Sequence, residues 1–285
     1  MRLLVVGGTG FLGREVVRRA LEAGHRVAAT FHSAATRATD VDWLALDIRD
    51  RDAVTAAVAR SGADVIVNAA YRQADWVTTA DGATNVALAA ASAKARLVHV
   101  SSDVVFSGTQ RSSYDERCVP DPITPYGAAK AAAETAVKGI TPDAVIARTS
   151  LILGGGQSPQ ERFVHGLAAG TASGVLFTDD VRCPVHVGDL AAALLELAGS
   201  PHAGVHHVAG PDAVSRHQLG VLIARRDGLD AAALPTGSRA VTGPPAPLDV
   251  RLDCALTQQR LTTRLRGARE FLADTARPST RSAHC

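Results

Sequence analysis

The feature that most constrains this chain is the run Gly7-Gly8-Thr9-Gly10-Phe11-Leu12-Gly13, which directly follows the apolar stretch Leu3 to Val6 and leads into helical spacing from Gly13 to Ala23. Glycines at G-x-x-G-x-x-G between a buried strand and a helix permit a tight turn. They also let backbone N–H groups approach a pyrophosphate at the positive end of the helix, where side chains would clash. Strand, glycine turn and helix in that order form the opening unit of a dinucleotide-binding βαβ fold.

The same alternation continues down the chain. Short runs rich in Val, Ile, Leu and Ala recur at Arg26 to Thr30, Trp43 to Leu46, Val65 to Asn68, Leu97 to Ser101 and Ala144 to Thr149. They mostly lack polar alternation, the mark of strands buried on both faces. Helical spacing separates them at Asp50 to Arg60, Asp81 to Ala93 and Gly127 to Gly139, the last led in by Pro125. The pattern predicts an α/β, Rossmann-type doubly wound parallel sheet with ligands at the carboxyl ends of its strands, and a smaller C-terminal α/β substrate-binding lobe. Residues 1–153 are expected to form an NAD(P)-binding domain. Segment 181–209 is expected to return to it, with a helix at Asp189 to Ala198 and a strand at Gly204 to Ala209. The lobe is expected from 154–180 and 210–273, with helices at Gln160 to Ala169 and Ser215 to Ala224 and a stiff connector at Thr242 to Pro247. Residues 274–285 read as a mobile tail.

Composition removes several function classes. Thirty Lys and Arg against 28 Asp and Glu, scattered along the chain, argue against nucleic acid as a partner. No run approaches the roughly 18 apolar residues of a membrane helix, and the first residues lack a signal-peptide core. Cys118, Cys183, Cys254 and Cys285 lie far apart without a C-x-x-C pair, so no zinc site or disulfide framework is expected and the cytoplasm is the expected compartment. His206 and His207 would alternate faces of a strand, which argues against their chelating one ion, and Asp179, Asp180 and Asp189 read as caps of turns and a helix.

Cofactor type follows from the second strand. NAD sites carry an Asp or Glu about 20 residues past the loop for the ribose hydroxyls. Here the strand ends Thr30-Phe31-His32-Ser33, with no acid between Glu22 and Asp40. Hydroxyls, His32 and Arg37 suit a 2′-phosphate, so NADPH is favoured and NADH stays open. Asp47-Ile48 are placed to touch an adenine edge, although Asp47 equally suits a helix N-cap.

Tyr126-Gly-Ala-Ala-Lys130 sets a phenol and an ammonium one helical turn apart. The chain has only three tyrosines and three lysines (Lys94, Lys130 and Lys138), which makes coincidence a poor explanation. A neighbouring cation is expected to lower the tyrosine pKa and suit Tyr126 to give a proton to a carbonyl oxygen during hydride transfer. Ser102, at the end of a buried strand, is placed to hydrogen-bond that oxygen, or to serve as a turn or cap residue. The residues alone reach a carbonyl reductase.

The glycine loop, Asp47-Ile48, Asn68-Ala69-Ala70, Ser101-Ser102-Asp103-Val104-Val105-Phe106-Ser107-Gly108, Tyr126-x-x-x-Lys130 and Arg148-Thr149-Ser150 resemble the extended short-chain dehydrogenase/reductases, and within them the dTDP-4-dehydrorhamnose reductase branch. By that resemblance Ser102, Tyr126 and Lys130 are catalytic, with Lys130 on the nicotinamide ribose. Gly7, Gly10, Phe11, Leu12 and Gly13 hold the pyrophosphate, Asp47 and Ile48 the adenine side, and Ala69 and Ala70 the middle of the cofactor, while Thr30 and Arg37 are counted as cofactor-binding on the 2′-phosphate argument above. Asp103, Val104, Leu151 and Arg182 fall to the substrate, Arg182 near a diphosphate. The implied reaction is hydride transfer from NADPH to the C4 ketone of a nucleotide-linked 6-deoxyhexose. Val104 and Leu151 stand where that branch usually has aromatic residues, which removes flat surface from the sugar pocket and leaves a different 4-ketosugar or a non-sugar ketone open. A related branch, the NADP-binding regulatory subunit of methionine adenosyltransferase, is disfavoured by the retained Ser102, Tyr126 and Lys130. A dehydratase is disfavoured because Val104 replaces the second carboxylate after Asp103. A homodimer is left open.

Overall fold

The computed structural model describes residues 1–33, 40–109, 113–243 and 245–273, so Arg37, Pro244 within the connector and the tail 274–285 lie outside the described residues. The glycine turn joins β1 (Arg2–Val6) to α1 (Phe11–Glu22), and the alternation continues through β2 (Arg26–Phe31), β3 (Asp42–Ala45), α2 (Arg51–Ser61), β4 (Val65–Asn68), α3 (Gly82–Ala93), β5 (Arg96–Ser102), α4 (Pro125–Ile140) and β6 (Val145–Thr149). There follow β7 (Ile152–Leu153), α5 (Pro159–Ala168), β8 (Leu176–Phe177), β9 (Val181–Arg182), β10 (Val185–His186), α6 (Val187–Ala198), β11 (Gly204–His207), β12 (Val214–Ser215), α7 (Arg216–Arg226), β13 (Thr236–Gly237), α8 (Arg239–Thr242), α9 (Ala255–Arg260) and α10 (Ala268–Phe271).

Seven strands pair in the order β11-β6-β5-β4-β1-β2-β3, all parallel. The doubly wound α/β sheet expected from the sequence is therefore present. Successive residues of β1 show why polar alternation is missing: Leu3 and Val5 enter the apolar layer shared with α1 and α6, while Leu4 and Val6 enter the opposite layer with α2 and α3. The strand order reverses between β1 and β4, which opens a crevice at their carboxyl ends.

A third apolar cluster, including Val164, Leu176, Leu219, Ile223 and Phe271, forms between α5 and α7. Both helices start with capping boxes, Ser158 with Glu161 and Ser215 with Gln218. Around them β7 pairs with β10, β9 with β12 and β8 with β13. Two-residue strands carry no periodicity, which is why the sequence shows no strand between the helix at Gln160 to Ala169 and residue 181. Among the described residues no helix is long and apolar enough to cross a membrane.

Candidate active site

The glycine loop is locked from two sides. Gly7 adopts φ +84° and donates its N–H to Thr30 Oγ1 at 2.9 Å, while its carbonyl accepts from Gly10 N at 3.0 Å. A Cβ on Gly7 would stand 2.9 Å from Ala70 N, and one on Gly13 would stand 2.1 Å from Gly7 O. Glycine at 13 is thus what lets α1 begin against the loop. The N-cap of α1 is Gly10, no side chain caps it, and its first turn carries no acid, so the helix presents free N–H groups at its positive end. Two adjoining cavities of about 860 and 1200 Å³ meet at Gly10, Ala69 and Tyr71.

The first cavity is walled by Thr30, His32, Ser33, Asp47, Ile48 and Arg49. Asp47 is chelated by Arg49, with Nε to Oδ1 at 3.0 Å and Nη2 to Oδ2 at 2.6 Å, and His32 Nε2 lies 3.6 Å away. That guanidinium holds the Asp47 carboxyl far below its ordinary range. The cap of α2 is Asp50, which accepts from Ala53 N, not Asp47. The acid at this end is therefore already matched by a cation, and Arg49 is a residue the sequence reading missed.

Ser102, Tyr126 and Lys130 share a wall of the second cavity, as do Asp103, Val104, Leu151 and Arg182. Ser102 ends β5 and caps the 3-10 turn Asp103–Val105, where it accepts from Val104 N at 3.4 Å, so its cap role and its site position coexist. Thr124 caps α4 through Gly127 N with Pro125 in first place, which launches Tyr126 and Lys130 from the first turns. Gly127 lets α4 abut the turn after β5, since a Cβ there would meet Val104 O at 2.2 Å.

The electrostatics differ from expectation. Burial, with Tyr71 and Asp103 nearby, pushes the Tyr126 phenol above its ordinary value, and the Ser102 hydroxyl opposes this only in part. Burial pushes Lys130 down to about 8 against the pull of Glu134. The Lys130 ammonium donates to Val100 O at 3.0 Å and lies 5.1 Å from the Tyr71 ring centroid, while the Tyr71 and Tyr126 rings stand 5.8 Å apart. Desolvation thus outweighs the cation effect argued from the Tyr-x-x-x-Lys spacing. Tyr126 is a phenol held protonated beside two hydroxyl-bearing neighbours, Ser102 and Tyr71. Tyr71 was also missed, although it directly follows Asn68-Ala69-Ala70.

Further polar groups flank this wall. The buried Asp103 accepts from Ser150 Oγ at 2.6 Å and from Ser102 Oγ at 3.2 Å. Arg182 gives its donors to the carbonyls of Val181, Leu248 and Pro247 and pairs with Asp180 at 2.9 Å, an arrangement that stitches β9 to segment 247–248. Asp180 is the buried centre of three arginines, because Arg239 Nε lies 2.9 Å and Arg216 Nε 3.3 Å from its Oδ2, the latter without hydrogen-bond geometry. Of the two acids read as turn caps, Asp179 serves as one, receiving Ser238 Oγ and the N–H groups of Arg239 and Ala240, whereas Asp180 faces the arginines. Asp189 likewise pairs with Arg266 while His186 caps α6. A third cavity of about 840 Å³, walled in part by Phe163, Phe177 and Arg239, shares Gln160 and Arg216 with the second. His206 and His207 are both buried, and no group of three His, Cys, Asp or Glu suited to a metal occurs among the described residues.

Comparison with known proteins places this geometry. The family described as RmlD substrate binding domain matches residues 1–280. A dTDP-4-dehydrorhamnose reductase of Mycolicibacterium smegmatis is 33% identical over 288 residues, covering 96% of this chain and 84% of the relative. The probable low-salt glycan biosynthesis reductase Agl14 of Haloferax volcanii is 33% identical over 261 residues, covering 86% and 87%. The crystal structure of a hypothetical dTDP-4-dehydrorhamnose reductase from Sulfolobus tokodaii matches with a TM-score of 0.81 at 26% identity, covering 93% of this chain and 97% of that one. The chain belongs to the RmlD substrate binding domain family, within the extended short-chain dehydrogenase/reductases and resembling dTDP-4-dehydrorhamnose reductase.

Proposed function

We propose that this oxidoreductase uses NADPH to reduce the C4 ketone of a nucleotide-linked 4-keto-6-deoxyhexose, with Tyr126 as proton donor. The observation that carries the reading is the convergence of Ser102, Tyr126 and Lys130 on one cavity that the glycine loop and the start of α1 also line. The cradle suits a dinucleotide: the volumes that Cβ atoms would fill at Gly7 and Gly13 are backbone contacts, and the start of α1 faces the cavity through Gly10, Phe11 and Leu12. NADPH supplies the hydride. Gly7, Gly10, Phe11, Leu12 and Gly13 would hold its pyrophosphate, Ala69 and Ala70 its middle, and Ile48 its adenine. Thr30, His32, Ser33 and Arg49 would take the 2′-phosphate, where the paired Asp47 adds no net repulsion. Ser102 orients the substrate carbonyl oxygen, Tyr126 donates the proton to it, and Lys130 binds the nicotinamide ribose. Asp103, Val104 and Leu151 meet the hexose, with Tyr71 as its aromatic surface, and segments 154–180 and 210–273 receive the nucleotide, with Arg216 and Arg239 at the diphosphate in place of Arg182, whose donors are engaged.

The test is NADPH oxidation at 340 nm with enzymatically generated dTDP-4-keto-6-deoxyhexoses. Wild type should turn over. Tyr126→Phe should lose about 10²–10⁴-fold in kcat with its NADPH dissociation constant within about twofold. NADPH binding without turnover of any of these sugars rejects the substrate class, and turnover retained by Tyr126→Phe rejects the proton donor.

A further inference from the structure

Among the described residues, His32, Arg49 and Arg72 are the basic side chains that line the first cavity, and Lys130, Arg182 and Arg216 those that line the second. All but one are engaged by the protein itself. Arg49 chelates Asp47, and His32 lies 3.6 Å from the same carboxylate. Lys130 donates to Val100 O, Arg182 to the carbonyls of Val181, Leu248 and Pro247, and Arg216 Nε lies 3.3 Å from Asp180 Oδ2. The Arg72 guanidinium has neither a hydrogen bond nor an ion pair among the described residues. Asp75, three positions on, is turned elsewhere: it accepts from Thr78 N at 3.1 Å and Thr78 Oγ1 at 2.7 Å and lies 3.8 Å from Arg49 Nη1.

The backbone of Arg72 is as firmly held as its side chain is free. Thr79, 1% exposed, accepts from Arg72 N at 3.2 Å and donates the same hydroxyl to Arg72 O at 2.8 Å, and Asp75 N donates to that carbonyl at 3.0 Å. Thr79 belongs to the π-turn Val77–Asp81 that leads into α3, a widened turn of the kind frequent at functional sites. A merely solvated arginine needs no such clamp. Arg72 also directly follows Tyr71, which with Gly10 and Ala69 lines both cavities, so the clamp fixes the free cation next to their junction. The glycine loop offers a pyrophosphate backbone N–H groups and the partial charge of a helix end, but no cation, because Arg14 of α1 donates to Thr9 O. A planar, permanently charged guanidinium pairs with phosphate oxygens through two parallel N–H bonds.

We propose that Arg72 is a cofactor-binding residue whose guanidinium meets the pyrophosphate that NADPH and NADH share, and that Thr79 is the residue that positions it. This role needs a dinucleotide in the first cavity and is independent of the ketosugar. It differs from that of Arg49, whose place beside the ribose suits the 2′-phosphate that only NADPH carries.

The test is a pair of fluorescence titrations, with NADPH and with NADH, that needs no sugar substrate. Arg72 is exposed, so Arg72→Gln should fold as wild type does. Its dissociation constants for both dinucleotides should rise by about tenfold and by the same factor, with the gap from wild type narrowing between 50 mM and 1 M NaCl. Arg117→Gln, at a fully solvated arginine outside both cavities, should leave both constants unchanged. Thr79→Val should weaken both dinucleotides, Thr79→Ser should restore them, and Thr79→Val should add little once Arg72 is Gln. Constants within about twofold of wild type in Arg72→Gln, a loss confined to NADPH, or an equal loss in Arg117→Gln would each overturn the pyrophosphate role. Full additivity of Thr79→Val with Arg72→Gln would overturn the positioning role. Wild type that binds neither dinucleotide would overturn the cofactor reading itself.

Discussion

Replacing Gly13 by Ala sets two effects of opposite sign against each other. Gly13 is the third residue of α1 with ordinary helical φ, so propensity alone predicts a gain of about 1 kcal/mol. The added Cβ, however, would stand 2.1 Å from Gly7 O and 2.9 Å from Gly7 C and Gly8 Cα, all backbone. Contact needs roughly 3.5 Å between heavy atoms, so the loop must retreat by about 1 Å. The retreat strains the Gly10 N to Gly7 O bond at 3.0 Å and the Gly7 N to Thr30 bond at 2.9 Å. Overpacking costs about 1–3 kcal/mol, and one weakened hydrogen bond, about 1 kcal/mol, offsets the propensity gain. Gly13→Ala should therefore lose about 1–3 kcal/mol in urea unfolding, and its NADPH dissociation constant should rise at least about tenfold because the N–H groups at the start of α1 move. Gly139→Ala is the control. It lies in the last turn of α4 with nothing within 4 Å of its Cβ position, and should gain up to about 1 kcal/mol with unchanged NADPH affinity. Wild-type stability and affinity in Gly13→Ala would refute the claim that the loop cannot yield.

Two further outcomes follow from the charges. Burial holds Lys130 at about 8 against its ordinary 10.5, so the unfolded chain binds that proton more tightly; the penalty is full below pH 8 and is relieved as pH rises to 10.5. Lys130→Met should then be more stable than wild type at pH 7 by up to about 3 kcal/mol, with the gap closing towards pH 10.5; a gap that does not change with pH would contradict this. Arg49→Ala frees the Asp47 carboxylate towards the first cavity and removes the cation proposed to meet the 2′-phosphate, so NADPH should weaken at least about tenfold more than NADH in parallel titrations. Equal losses for both cofactors would place the 2′-phosphate elsewhere.

What could be read from the chain alone was whatever neighbouring residues express together. Apolar runs of four to six residues, a glycine loop between a strand and a helix, and a Tyr and a Lys one turn apart are local patterns. Backbone geometry converts them into β1, α1 and the start of α4 without reference to the rest of the molecule. The helix beginning at Ser215 was legible for the same reason.

The remainder was decided by tertiary structure. Ser101 and Glu134 are 33 positions apart, Arg239 meets Asp180 across 59 and Arg182 meets Pro247 across 65, so no window of sequence contains both partners. Tyr71 gains its meaning only where the turn after β4 meets α4, and Arg49 only where its side chain folds back on Asp47 at the cavity edge. The directions of the Tyr126 and Lys130 shifts belong to the same class. Spacing shows that a cation is near a phenol. Whether charge attraction or loss of water dominates depends on how deeply both are buried, and burial is a property of the assembled fold.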